Sequence, residues 1–165
     1  MRSEVESLPF SSSVFDIVTA LDMLEHVDND LAALDELLRV TNEQGVLVIT
    51  VPAYGFLWSE HDEALKHRRR YTAHELRNKL TISGFDVVRT SYFISTMFLP
   101  ILALRIWQGI RKDSTRPKTS IYVLPRWINA SLVGLLAFER RLFQRFNLPF
   151  GVSIVATARP SKLVT

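Results

Sequence analysis

The sequence predicts an α/β fold, and three observations carry that prediction. Apolar runs of strand length stand at residues 15–21, 46–51, 85–92 and 152–158. The segments between the first three show helical apolar spacing and helix-starting residues. Polar residues gather where a strand ends: Asp22, Glu25 and His26 follow the first run directly. A buried strand, a polar loop and a helix in that order form half of a βαβ unit. Ligands in open α/β sheets bind at the carboxyl ends of such strands, so these three side chains are placed like site residues.

The chain of 165 residues is long enough for one domain with a real core. Its 47% apolar and 22% charged content is that of an ordinary globular protein. The absence of cysteine excludes disulfides, cysteine-ligated zinc and a cysteine nucleophile. Met1 to Glu6 carries no apolar core, so no signal peptide is expected and the expected location is cytoplasmic. The formal net charge of +3 hides a division: residues 1–95 carry 9 Lys/Arg against 15 Asp/Glu, and residues 96–165 carry 11 against 2. The acidic part reads as a cytosolic enzyme. The basic part reads as a surface that meets anions.

Residues 1–14 form a turn-rich lead, Leu8-Pro9-Phe10 then Ser11-Ser12-Ser13, into the strand FDIVTAL. Asp28 opens a helix whose Leu31, Leu34, Leu37 and Leu38 face a sheet, with Asp30, Asp35 and Glu36 in its first half where the helix dipole favours them. Asn42 to Gly45 reads as a tight connection, with Gly45 free to take positive φ. Val46 to Val51 is apolar nearly throughout, the pattern of a strand covered on both faces, and Pro52 ends it.

Residues 53–71 read as a long, aromatic-rich functional loop. In it, His61, Asp62 and His67 offer two imidazoles and a carboxylate, but a loop does not fix their geometry, and no metal is expected. Thr72 and Glu75 have the spacing of a capping box, with Tyr71 and Leu76 at the staple positions. A helix follows and stops at Gly84.

Residues 93–147 break the rhythm. Phe93 to Leu104 is nearly all apolar, is interrupted by the kink-prone Pro100, and is too short to span a bilayer, which takes about 20 residues. It reads as an interfacial helix. A basic loop follows at residues 111–118. A second helix over 125–146 has a broad apolar face and Arg140, Arg141 and Arg145 near its end. These features point either to a helical subdomain packed on the sheet or to an anionic membrane surface. Nucleic acid is not expected, because the basic residues accompany Leu and Phe rather than a stacking platform on a sheet.

The runs LPF, FDIVTALDMLEHV, GVLVITVPA and HRRRYTAHELRNKLTISGF resemble, in order and spacing, the second half of a class I S-adenosylmethionine-dependent methyltransferase of the small-molecule type. LPFGVSIVATAR at 148–159 resembles that family's last strand. The resemblance implies a partial Rossmann-like sheet made of the last four strands, with a helical insertion before the final one. It divides the chain into 1–92, the C-terminal half of a catalytic domain; 93–147, a helical and basic insertion; and 148–165, the last strand and tail. It implies S-adenosyl-L-methionine as cofactor, with Glu4, Val5, Ala20, Leu21 and Asp22 beside it. Glu4 stands where the family often has Asp.

By the same resemblance, His26 and Glu25 face the methyl group and acceptor, His26 as the base. Tyr54, His67, Arg69 and Tyr71 lie on a substrate-side lid. The expected acceptor is small and amphipathic or lipid-linked, because an interfacial segment and an arginine-rich lid share the chain. The expected location becomes peripheral at the inner face of a membrane. The six glycines include no G-x-G, so the family's Gly-rich cofactor loop is expected to precede residue 1. The strand at 15–21 would then have an open edge, calling for a partner chain to cover it. The competing expectation is a non-catalytic, membrane-associated remnant or binding module.

Overall fold

The computed structural model describes residues 4–110 and 125–161. The basic loop expected at 111–118 lies outside the described residues. Four strands, β1 (Phe15–Leu21), β2 (Thr41–Pro52), β3 (Phe85–Phe93) and β4 (Ser153–Pro160), form one sheet in the order β1-β2-β4-β3. β1 pairs parallel with β2, while β4 is antiparallel to both β2 and β3. The expected α/β sheet of four strands is thus present, and β1 is its edge.

The parallel β1–β2 pair is connected by α1 (Asp30–Val40). Asn29, not Asp28, is its N-cap: the Asn29 side chain accepts from the Ala32 amide at 3.1 Å. α3 (Ala73–Ile82) begins at the expected capping box, in which Thr72 Oγ1 accepts from the Glu75 amide at 3.1 Å and Glu75 reaches back to the Thr72 amide. Tyr71 and Leu76, at the staple positions, are both buried. Gly84 ends this stretch at φ +86°, a conformation that L side chains rarely adopt.

Alternation along the strands places the core on one face. Ala20, Leu47, Ile49, Val51, Ile154, Ala156, Ala158 and Phe85 pack with Leu34 and Leu37 of α1 and Leu76 and Leu80 of α3. Each fully buried leucine stabilises by about 1.5–3 kcal/mol. The opposite face is only partly covered among the described residues. Val46, Val48 and Thr50 are half-buried there, and Ile17 and Leu21 are 69% and 59% exposed. The expectation that β2 is covered on both faces is therefore corrected: among the described residues its second face is covered only in part, by α5 over the carboxyl end.

Three local expectations also change. Residues 42–45 are not a tight connection but a bulge inside β2, since Phe15 pairs with Thr41 and Ile17 with Val46. Glycine is needed at 45 for space rather than for φ: a Cβ would sit 2.7 Å from Thr41 Cγ2 and 2.9 Å from the Phe15 carbonyl oxygen. The stretch 53–71 is not loop throughout, because it holds a 3-10 turn at Gly55–Leu57 and the short helix α2 (Glu60–Ala64), closed by a Ser59–Asp62 capping box. Pro100 does not kink its helix. It sits in the first turn of α4 (Phe98–Ile110), where the missing N–H has no intrahelical partner to lose.

α5 (Arg126–Arg145) is held by polar clamps at both ends of its contact. The buried Glu139 carboxylate accepts from the Ser95 and Thr96 amides, at 2.8 and 2.9 Å, and from Thr96 Oγ1. Arg89 of β3 donates to the Phe143 and Phe146 carbonyls at the helix end and stacks on the Phe143 ring at 4.4 Å. Most of the helix is exposed, including Trp127, Val133 and Phe138, as is Phe146 just beyond its end. Among the described residues, no helix is long and apolar enough to cross a membrane.

Candidate active site

The site is built at the carboxyl end of β1, where the chain leaves the sheet. Asp22 takes positive φ (47°) there. Its amide donates to the Thr50 carbonyl and to Thr50 Oγ1, which returns its proton to Asp22 Oδ1 at 3.1 Å. This pins the strand end to β2. A 3-10 turn at Leu24–His26 follows and carries Glu25 inward and His26 outward.

Glu25 is fully buried, and neither carboxylate oxygen is hydrogen-bonded to another residue. Burial lifts its carboxyl to about 7; the Asp22 charge adds to the rise, and His67 and Arg70 oppose it. His26 and His67 meet edge to face, ring centroids 4.7 Å apart. One ligand atom from each of Glu25, His26 and His67 lies within 4.8 Å of the other two.

His67 is fixed from behind. Its Nδ1 lies 2.9 Å from Asp62 Oδ1, and its side chain is 9% exposed. Asp62 is fully buried and also receives Arg70 Nε at 2.8 Å and Nη2 at 3.1 Å, a bidentate pair. Arg70 then reaches the Ala53 carbonyl at 2.9 Å, which ties the segment to the end of β2. The backbone of Arg68 donates to the Glu25 carbonyl, so the two segments that carry the three side chains are joined directly.

The residues expected on the lid divide into two groups. His67 joins Glu25 and His26. Tyr54 stands apart from them in an aromatic stack, 4.9 Å from Phe56 and 5.0 Å from Tyr92 by centroids. Arg69 and Tyr71 are engaged by the fold. Tyr71 is buried, and its hydroxyl donates to Asp30 Oδ2 at 3.0 Å and to the Leu24 carbonyl. Arg69 donates to Asp30 and to the Val27 and Asp28 carbonyls. His61 is exposed and stands outside the cluster.

Of the residues expected beside the cofactor, Val5, Ala20 and Leu21 line one groove of about 450 Å³ along the open edge of β1, with Leu8, Ile17 and Met23. Asp22 lies between two of its lining residues. Glu4 is exposed and does not line the groove. A second, apolar pocket of about 280 Å³ opens between the carboxyl ends of β2 and β3 and helix α5, lined by Thr50, Phe93, Ile94, Leu136 and Phe143, with Glu139 and Arg140. Sequence reasoning missed this pocket. Its signal was available in Thr50 and Phe93, which stand at strand ends, but its roof comes from a helix that follows more than thirty positions later in the chain.

The cofactor that the sequence resemblance implies can be tested against these residues. The groove's apolar wall suits a flat heteroaromatic ring, and Asp22 offers a carboxylate at its end for a cationic or hydroxylated group. No glycine-rich cradle of amides for an anionic end occurs among the described residues. The residues present fit one side of S-adenosylmethionine.

Residues 2–90, more than half of the chain, match the family described as methyltransferase domain. An uncharacterized protein of Methanocaldococcus jannaschii is 30% identical over 120 residues, covering 66% of this chain and 51% of that protein. A solved S-adenosylmethionine-dependent methyltransferase of Thermotoga maritima aligns over 98% of this chain and 63% of its own, at 16% identity and a TM-score of 0.54. The cyclase SpnF aligns over 96% of this chain and 55% of its own, at 19% identity and a TM-score of 0.53. The chain thus spans between half and two thirds of these proteins, and likeness at such identities shows the fold alone. The family match goes further than the fold: the chain belongs to the methyltransferase domain family.

Proposed function

We propose that this chain provides the acceptor side, and one wall of the donor side, of an S-adenosylmethionine-dependent methyltransferase acting on a small amphipathic or lipid-linked acceptor. The observation that carries the reading is the placement of both sides on one strand end. Ala20 and Leu21 line the groove along β1, and Glu25 and His26 follow four or five residues later at the buried polar cluster. When bound, S-adenosylmethionine supplies a methyl group on a sulfonium sulfur, already activated for displacement.

The residues of this chain mainly position the reactants. Val5, Ala20 and Leu21 hold the donor's apolar side, and the Asp22–Thr50 bonds fix the turn that separates donor from acceptor. His26, exposed at the cluster's mouth, takes the proton of a hydroxyl acceptor. The apolar pocket under α5 suits an acceptor's hydrocarbon part, and Thr50 connects it to Asp22. The exposed apolar residues of α5, beside Arg140, Arg141 and Arg145, support delivery from an anionic membrane surface.

Calorimetric titration of S-adenosylmethionine tests the reading, on this chain and on a form that carries the sequence encoded upstream of Met1. Binding is expected in at least one of them, and Ala20→Phe, which fills the groove, should abolish it. Absence of binding in both sinks the reading and favours the non-catalytic binding module, for which the exposed face of α5 is the supporting observation.

A further inference from the structure

The fully buried Glu25 carboxylate is not accounted for by proton transfer at an exposed histidine. A carboxylate with both oxygens out of water and bonded to no other residue is costly to keep in place. It needs either a proton or a cation. The side chains that face it are two imidazoles, His26 and His67, each offering a nitrogen within 4.8 Å of the carboxylate and of the other. Arg70, whose charge acts on Glu25, is already paired twice with Asp62.

We propose that Glu25, His26 and His67 bind a divalent first-row transition-metal ion, with the remaining coordination positions open towards the acceptor. Two imidazoles and one carboxylate form the donor set that suits zinc, cobalt, iron or manganese, and leaves positions free on any of them. The all-oxygen preference of calcium and magnesium disfavours both. Ligand atoms around such an ion stand about 3–3.5 Å apart, so the cluster closes on it by a small movement of the exposed His26 ring.

The surroundings fit the assignment in a second way. Asp62 engages His67 at Nδ1, which leaves Nε2 as the free lone pair. That is the carboxylate–histidine arrangement that fixes tautomer and ring orientation behind a metal ligand. Asp62 is in turn locked by Arg70 and by the Ser59 amide and hydroxyl. The backbone bond from Arg68 to the Glu25 carbonyl holds the two ligand-bearing segments together before any ion arrives. This departs from the sequence expectation of no metal. The triad considered there, His61, Asp62 and His67, is replaced by one in which Asp62 supports rather than ligates.

The inference deepens the proposed function and rests on it only for what meets the open positions. In the ion-loaded form His26 is a ligand rather than the proton acceptor. The test is Co²⁺ titration of the chelator-stripped full-length chain, followed by visible ligand-field absorption and by metal analysis after gel filtration. One equivalent per chain is expected. His26→Ala, an exposed substitution that spares the fold, should abolish the absorption band, as should His67→Ala. Asp62→Asn should weaken binding by about 10–100-fold. His74→Ala, on the exposed side of α3, should change nothing, and circular dichroism checks that each variant folds.

Failure to bind one equivalent of Co²⁺, or binding that survives both His26→Ala and His67→Ala, overturns the proposal. The two readings fail separately. S-adenosylmethionine binding without Co²⁺ binding sinks the ion site alone, and Co²⁺ binding without S-adenosylmethionine binding leaves the ion site standing without the transferase.

Discussion

Asp30 shows how single side chains hold the site in place without entering it. The carboxylate is buried at the start of α1 and receives Tyr71 Oη, Lys79 Nζ and Arg69 Nη1, at 3.0, 3.0 and 3.2 Å. Burial alone would raise its carboxyl. The bonds from Lys79 and Tyr71, with the charges of Lys79 and Arg69, outweigh burial and hold it below its ordinary value of 3.8. A carboxyl lowered on folding contributes stability that is present above its unfolded value and lost as pH falls through the folded one. Tyr71→Phe removes one of the bonds to the charged group and should cost about 1.5–3 kcal/mol at neutral pH. The penalty should shrink below about pH 4, as Asp30 takes its proton. Urea unfolding at neutral and acid pH measures both. An equal penalty at both would mean that the bond from the Tyr71 hydroxyl to the Leu24 carbonyl, not the bond to Asp30, carries the effect.

At the scale of elements, α5 is the unusual piece, since Glu139 ties it to the turn after β3 and Arg89 ties it to β3 itself, while Trp127, Val133 and Phe138 are exposed. Basic residues near an anionic leaflet contribute about 1 kcal/mol each, and the exposed apolar residues add burial in the headgroup region. The chain should therefore sediment with vesicles rich in phosphatidylserine and much less with phosphatidylcholine alone. Val133→Ser with Phe138→Ser should lower that binding at least about tenfold, for two large apolar groups no longer buried. Equal sedimentation with neutral vesicles would mean that the basic residues take no part, and no effect of the substitutions would place the membrane contact on another face.

The elements themselves were largely legible, and for a physical reason: β1, β2, β3, β4, α1 and α3 are specified by local apolar spacing and by caps that the sequence spells out, such as Thr72 and Glu75. α2 was not, because five residues of Glu-His-Asp-Glu-Ala carry no apolar period. The bulge at 42–45 was hidden because it is set by the pairing of Phe15 with Thr41 across the chain. In the site, Glu25 and His26 were visible as polar residues after a strand. That Asp62 pairs with Arg70 and orients His67 depends on how α2 and the turn after it fold back on themselves over five to eight positions, with no apolar period to announce it. That Arg69 and Tyr71 turn to Asp30 depends on segments some forty positions apart meeting, which no local pattern encodes.

For the whole molecule the open flank of the sheet dominates. Among the described residues β1 pairs only with β2, and its other edge lies along the apolar groove. On the face of β1 away from the core, Ile17 and Leu21 are largely exposed, with Phe10 and Val14 exposed nearby. An apolar strand with unpaired amides and carbonyls is a template for another strand, and proteins blunt such edges with charge, proline or a cover. None of these devices occurs in Phe15-Asp16-Ile17-Val18-Thr19-Ala20-Leu21 beyond Asp16, whose carboxylate is bonded to Asn42. The edge should therefore recruit a partner chain, and the purified protein alone should self-associate with rising concentration. Ile17→Lys with Leu21→Lys places two charges on the exposed face without touching the core residues Val18 and Ala20. Sedimentation velocity should show the parent shifting from monomer to larger species as concentration rises, and the double variant staying monomeric. If the variant associates as readily as the parent, the contact lies elsewhere, and the exposed face of α5 becomes the surface to substitute next.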